Sequence, residues 1–215
     1  MSTKERIPRA LTAKNVIEQE FELLPLKGAW HDAFGEPERT GVWLAWGNSG
    51  SGKGSFMIQL AKMLSEYGDV FIDDLEEGGR HTFKVNALRY GLSSAQGKVL
   101  VRKEDMATLD ARLSKPRSPE IVIINTVQYM HVNTKWYRQF AEKYARKKLL
   151  VFFSQADGKR PKGTLADDIK YDADLKIWVE GFKAFSNGRT WGATKEYTIW
   201  EEGAAEYWGQ QEIEQ

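Results

Sequence analysis

From Gly41 onward, short apolar runs alternate with amphipathic ones. The segments 42–46, 69–72, 98–101, 121–125 and 148–153 each read as a strand, a few aliphatic or aromatic residues bounded by polar or turn-forming ones. Between them, 53–66, 80–90, 104–113 and 134–146 repeat apolar side chains at helical spacing, as Phe56, Ile58, Leu60, Ala61 and Leu64 do behind Lys53. Such alternation predicts an α/β fold, a mostly parallel twisted sheet with helices on both faces. Ile121-Val122-Ile123-Ile124 is apolar throughout, as a central strand buried on both faces must be. Beyond Gln155 the texture changes: 175–179, 182–185 and 197–200 read as strands joined by short turns, expected to extend the sheet antiparallel. Residues 1–40 are polar and broken by Pro8, Pro25 and Pro37, with short helices expected over 13–21 and 26–34, so they read as an arm leading into a core of residues 41–215.

Composition narrows the chemistry. The 215 residues suit one domain with a full sheet-centred core. Lys plus Arg number 31 against 30 Asp plus Glu, so no global field draws the chain to nucleic acid or membrane, and any basic binding surface must be local. The absence of cysteine removes disulfides, thiolate catalysis and cysteine-ligated zinc. His31, His81 and His131 show no ligand spacing. No apolar run approaches membrane-spanning length and Met1–Arg6 lacks the apolar stretch of a signal peptide, which together set the expectation of a cytoplasmic protein without a membrane partner. Most of the eight tryptophans fall in apolar segments, where packing accounts for them.

The most specific signal is Gly47-Asn48-Ser49-Gly50-Ser51-Gly52-Lys53-Gly54-Ser55, between a strand and a helix. Glycines let successive backbone N–H groups curl into a nest, the helix N-terminus adds partial positive charge, and Lys53 reaches outer phosphates. The pattern predicts a nucleoside triphosphate as ligand. It departs from the usual form at one place: Gly54 stands where a hydroxyl normally holds magnesium, and Ser55 comes one position late.

In doubly wound sheets, ligands bind at the carboxyl ends of strands. After the second strand come Asp73, Asp74, Glu76 and Glu77, carboxylates placed to orient and activate a water, though a solvated acidic turn has the same composition. After the apolar run Ile121–Ile124 come Asn125-Thr126, where an aspartate would hold magnesium; an amide supplies no negative charge. Ser154-Gln155 closes the next strand and leads into Ala156–Gly163, a glycine-flanked basic loop whose Lys159, Arg160 and Lys162 suit the backbone of single-stranded nucleic acid. Basic residues on 134–148 read as a solvated face. Lys183 and Arg189 are candidates for reaching a neighbouring subunit's phosphate.

In order, the phosphate loop, the strand ending Ile-Asp-Asp-Leu-Glu-Glu-Gly, the apolar strand ending Asn-Thr, and Phe-Phe-Ser-Gln before a basic loop resemble the RecA-like P-loop ATPase core of recombinases and hexameric helicases. The resemblance spans residues 41–190, and the size is that of the small RecA-like proteins of phages and mobile elements. It implies that Lys53 binds phosphates, Glu76 activates water with Glu77 as substitute, Gln155 senses the nucleotide, and 156–163 contacts DNA. Asp172-Ala173-Asp174-Leu175 is similar to the start of the family's late strand. The implied cofactors are ATP and Mg2+, the implied partners single-stranded DNA and further copies of the chain. Gly54 and Asn125 alter the magnesium site, with Ser55 and either Asp73 or Asp74 as compensating ligands. A DNA-acting oligomeric ATPase and a non-hydrolysing nucleotide-dependent scaffold both accord with these features, whereas a small-molecule kinase would need an arginine-rich lid that the chain does not show.

Overall fold

The computed structural model describes residues 10–95, 97–186 and 194–213. Its helices are α1 (Ala13–Ile17), α2 (Ala29–Phe34), α3 (Lys53–Leu64), α4 (His81–Arg89), α5 (Met106–Leu113), α6 (Thr134–Tyr144), α7 (Thr164–Asp172) and α8 (Glu201–Ile213). Its strands are β1 (Gly41–Gly47), β2 (Val70–Asp74), β3 (Val99–Arg102), β4 (Ile121–Asn125), β5 (Leu149–Asp157), β6 (Arg160–Pro161), β7 (Leu175–Glu180), β8 (Lys183–Ser186) and β9 (Tyr197–Thr198). Several helix starts carry their stop-and-start chemistry in the sequence: Asp105 and Asn133 cap α5 and α6 by accepting from the backbone N–H groups of Thr108 and Trp136. Among the described residues no helix is long and apolar enough to cross a membrane.

The strands form one sheet in the order β3-β2-β4-β5-β1-β7-β8-β9. Pairing is parallel from β3 to β7 and antiparallel for β8 and β9, as the apolar pattern predicts. The strands β1, β4 and β5 are near-continuous apolar runs because both faces are covered. One face packs on α3 through Trp43, Ile72, Ile123, Val151 and Ile177. The other packs on α5, α6 and α7 through Leu44, Phe71, Ile124, Phe152 and Ala166.

Three expectations are corrected. The division at residue 40 does not separate an arm from the core: Leu24, Leu26, Ala33 and Phe34 are buried in the α3-side core, and Trp30 stacks on Tyr197 at 4.0 Å. The polar, proline-broken texture of 1–40 hid these four anchors. Residues 156–163 are not a free loop either, because β5 runs on to Asp157 and turns through Gly158-Lys159 into β6, pairing Asp157 with Arg160 and Ala156 with Pro161. The third late strand is only Tyr197–Thr198; the chain then enters α8, whose Gly203 and Gly209 weaken its helical signature.

Candidate functional site

At the end of β1 the backbone turns sharply into α3. Gly47 sits against its neighbour β7, where a Cβ would collide with the Val179 carbonyl and lie 2.8 Å from the Ser51 hydroxyl. Gly50 and Gly52 adopt φ of +76° and +100°, a region that side chains disfavour. The loop therefore needs glycine at these places for conformation, and its N–H groups gather ahead of a twelve-residue helix beginning at Lys53. The Lys53 ammonium donates to the Asn48 carbonyl at 2.7 Å. Burial pulls its pKa below the ordinary lysine range while Glu76 favours the charged form.

A cleft of about 390 Å³ opens over this loop, lined by Lys53, Gly54, Ser55, Glu76, Glu77 and Asn125 among others. The structure thus brings together on one cleft Ser49, Gly50, Gly52, Lys53, Gly54, Ser55, Glu76, Glu77 and Asn125 of the residues singled out in the sequence. The ends of β2 and β4 are stitched by a hydrogen bond from the Glu76 N–H to the Asn125 carbonyl, 3.1 Å. Glu76 is exposed, whereas Glu77 is half-buried. Burial, then the negative charges of Asp74 and Glu76, raises the Glu77 pKa.

The two aspartates of β2 part company. Alternation along the strand turns Asp74 toward α3 and Asp73 toward α5, as it does Ile72 and Phe71 before them. Asp74 lies fully buried beneath the cleft, its Oδ1 accepting from the Asn125 amide at 3.0 Å and the Glu77 N–H at 3.2 Å, with Oδ2 unpartnered. Asp73 is equally buried on the far face, accepting from the Glu104 N–H at 2.9 Å. As a candidate magnesium ligand Asp73 is therefore misplaced, and of the two aspartates weighed for that role Asp74 is the one on the cleft side. Neighbouring residues of a strand point to opposite faces, and a run of acids alone does not say which faces in.

Gln155 pairs with Gly47 across β5 and β1 but does not line the cleft; its N–H donates to Gln128 Oε1 at 3.0 Å. Gln128, unremarked in the sequence, ties the region together. It also accepts from the Thr126 hydroxyl and donates from Nε2 to the Ser154 hydroxyl and, at 2.7 Å, to the Lys162 carbonyl. One amide thus joins the turn after β4, the end of β5 and the hairpin carrying Lys159, Arg160 and Lys162, all three exposed. No local pattern marks such a residue, since its partners lie up to 34 positions away. Phe182 was also missed. With Gly181 it forms a two-residue turn at φ +58°, a costly conformation for a bulky residue, and its N–H donates to the Ser51 carbonyl at 3.1 Å while its ring lines the cleft. Lys183 is engaged within its own chain, 2.9 Å from Glu196. Arg189 lies outside the described residues.

The donor set suits magnesium. This ion takes hard oxygen ligands, keeps several waters, and is commonly held by one or two protein groups together with substrate phosphates. Ser55 and Asn125 line the cleft, with the orphaned Asp74 oxygen behind them. Gly54 is not forced by crowding: a Cβ there would meet only the Asn86 amide nitrogen, at 3.8 Å.

No protein-family model matches the sequence, and no curated protein matches it. Among solved structures, the flagellar accessory protein FlaH from Methanocaldococcus jannaschii superposes with a TM-score of 0.58 at 15% identity, over 83% of this chain and 92% of that one. At that identity the likeness speaks for the fold alone, and it bears out the α/β architecture, a mostly parallel sheet with helices on both faces and late antiparallel strands.

Proposed function

We propose that this chain is a cytoplasmic, oligomeric ATP-binding protein of the RecA-like kind that acts on single-stranded DNA. The observation that carries the reading is the cleft in which the glycine loop, Lys53, Glu76 and Asn125 converge at the carboxyl ends of β1, β2 and β4. Backbone N–H groups of the loop and the start of α3 hold the phosphates, and Lys53 leaves the Asn48 carbonyl to meet them. Glu76, exposed at the rim, positions and deprotonates a water against the terminal phosphate, with Glu77 as the nearest substitute. Ser55 and Asn125 would hold magnesium together with the nucleotide, and the ion would supply neutralising charge at the outer phosphates. The hairpin then reports the nucleotide state: Gln128, bonded to Gln155 and to the Lys162 carbonyl, ties the strand ends beside the cleft to the hairpin that bears Lys159 and Arg160.

A second reading, a nucleotide-dependent scaffold without turnover, is favoured by Gly54 and Asn125, which remove a hydroxyl and a charge from the magnesium site. Phosphate release from ATP and magnesium, with and without single-stranded DNA, separates the two for the native chain, Lys53→Ala and Glu76→Gln. Turnover stimulated by DNA and lost in both variants supports the first. ATP binding that Lys53→Ala weakens, with no phosphate released by any form, replaces it with the second.

A further inference from the structure

We propose that the outer face of β7 and β8, beneath the β5–β6 hairpin, is a stacking platform for the bases of a single-stranded nucleic acid. This rests on the nucleic-acid reading of the hairpin and goes beyond it by assigning the residues that hold the bases. Along β7, Leu175, Ile177 and Val179 are buried toward α3, whereas Lys176, Trp178 and Glu180 are half-buried on the opposite face. Trp178 pairs directly with Phe185 of β8. The Trp208 ring of α8 meets Phe185 edge-on at 5.8 Å, and on the other side Trp178 is backed, at 5.9 Å, by Trp46, which is itself buried and unavailable to a base. A row of aromatic rings therefore crosses the sheet from β1 to α8.

Cations frame this row. The hairpin stands between two hollows of about 330 Å³ and 320 Å³. One is lined by Arg160, Asp167, Lys170, Tyr171 and Lys176, the other by Lys159, Trp178, Glu180, Phe185 and Trp208. Tyr171 is 79% exposed. Lys170 holds its ammonium 4.5 Å above the Trp46 ring, and Trp46 in turn fixes the hairpin by donating its indole N–H to the Lys159 carbonyl at 3.1 Å. Lys159, Arg160, Lys170 and Lys176 have no ion pair among the described residues, whereas Glu180, an acid on the same face, is engaged by the Trp178 indole. Half-buried aromatic rings between unpaired cations match a strand that offers bases to the rings and phosphates to the lysines. A duplex keeps its bases stacked on one another, and the central part of a protein interface is depleted in lysine, so a single strand fits this face better than either.

The test is fluorescence anisotropy of labelled oligothymidylate and oligouridylate with the native chain, Trp178→Leu, Trp178→Phe, the pair Lys170→Ala and Lys176→Ala, and a hairpin variant lacking Lys159, Arg160 and Lys162. Each lost stack is expected to weaken binding about 5- to 100-fold, and Trp178→Phe to keep most of the affinity. Oligonucleotide should quench native tryptophan fluorescence and do so less in Trp178→Leu. The lysine pair should lower both affinity and its salt dependence. Melting and ATP affinity identify any variant that has failed to fold, and the lysine pair, near the surface, keeps the test open if Trp178→Leu does. If the hairpin variant loses binding while the platform variants bind as native, the platform is overturned and the nucleic-acid reading stands. If the native chain binds neither oligonucleotide, both fall. Platform variants that change sedimentation and leave oligonucleotide binding alone assign the face to a protein contact instead. The two oligonucleotides tell DNA from RNA.

Discussion

Asp73 and Asp74 are adjacent, both wholly inaccessible, and each keeps one carboxylate oxygen without a partner, yet they belong to different regions of the molecule. Asp74 underlies the cleft, bonded to Asn125 and the Glu77 backbone. Asp73 looks into the packing of β2 and β3 against α5, where Glu104 is bonded by Arg112 at 2.8 Å and the Arg112 guanidinium lies 4.8 Å over Phe71. Burial raises the Asp73 carboxyl from 3.8 to about 7, reinforced by the charges of Glu104 and Asp74. The arginine bond holds Glu104 below its ordinary range. The same chemical group thus sits in packed core on one face and beneath the cleft on the other, and the pleat of the strand alone makes the difference.

The sharpest way to break this comparison is on the α5 side. Arg112→Ala leaves the buried Glu104 carboxylate with only Arg102, 3.4 Å away, as a charged partner and should cost about 3 kcal/mol in a denaturant titration, with nucleotide affinity unchanged once folded. A comparable fall in ATP affinity would show that the two faces are not independent.

Asp73→Asn comes next. The unfolded chain ionises this group near its ordinary value, so between roughly pH 4 and pH 7 the folded protein holds a proton that the unfolded chain has lost, and native stability falls as pH rises through that window. The neutral variant should lose that slope and, above pH 7, be more stable than the native chain. Melting temperatures across this range are the check, and an unchanged slope would assign the pH dependence elsewhere.

Asp74→Asn should reverse the pattern. Calorimetry should show magnesium-ATP binding weakened about 10-fold, equivalent to about 1.4 kcal/mol, with little change in melting. Should Asp73→Asn weaken ATP while Asp74→Asn does not, the assignment of faces is wrong. The smallest effect is expected for Gly54→Ser, which restores a hydroxyl where there is room for it. Helix propensity alone should add about 0.5 kcal/mol, and the magnesium concentration at half-maximal ATP binding should drop.

Much of the site was legible because it is local. The phosphate loop needs only a strand, a glycine turn and a helix in succession, and Gly47 to Ser55 carry all three within a few residues. The strand ends were legible too, since apolar runs of fixed length place Glu76 and Asn125 just after β2 and at the end of β4. Gln128, Phe182 and the Trp178 face were not. Gln128 matters through partners supplied by β5 and the hairpin, Phe182 through a turn pressed against the phosphate loop, and Trp178 through its pairing with Phe185.

By itself, then, the sequence determined the alternation of strands and helices, the glycine loop with Lys53, and the missing hydroxyl and aspartate at Gly54 and Asn125, all consequences of periodicity and side-chain type within short windows. Only the tertiary structure decided which β2 aspartate lies under the cleft, that the basic segment is a pinned hairpin, that residues 24–34 complete the core, and that three half-buried aromatic rings share an outer face. These depend on strand register and on contacts between residues far apart in the chain, and a one-residue shift in register would exchange the faces while leaving every local pattern intact.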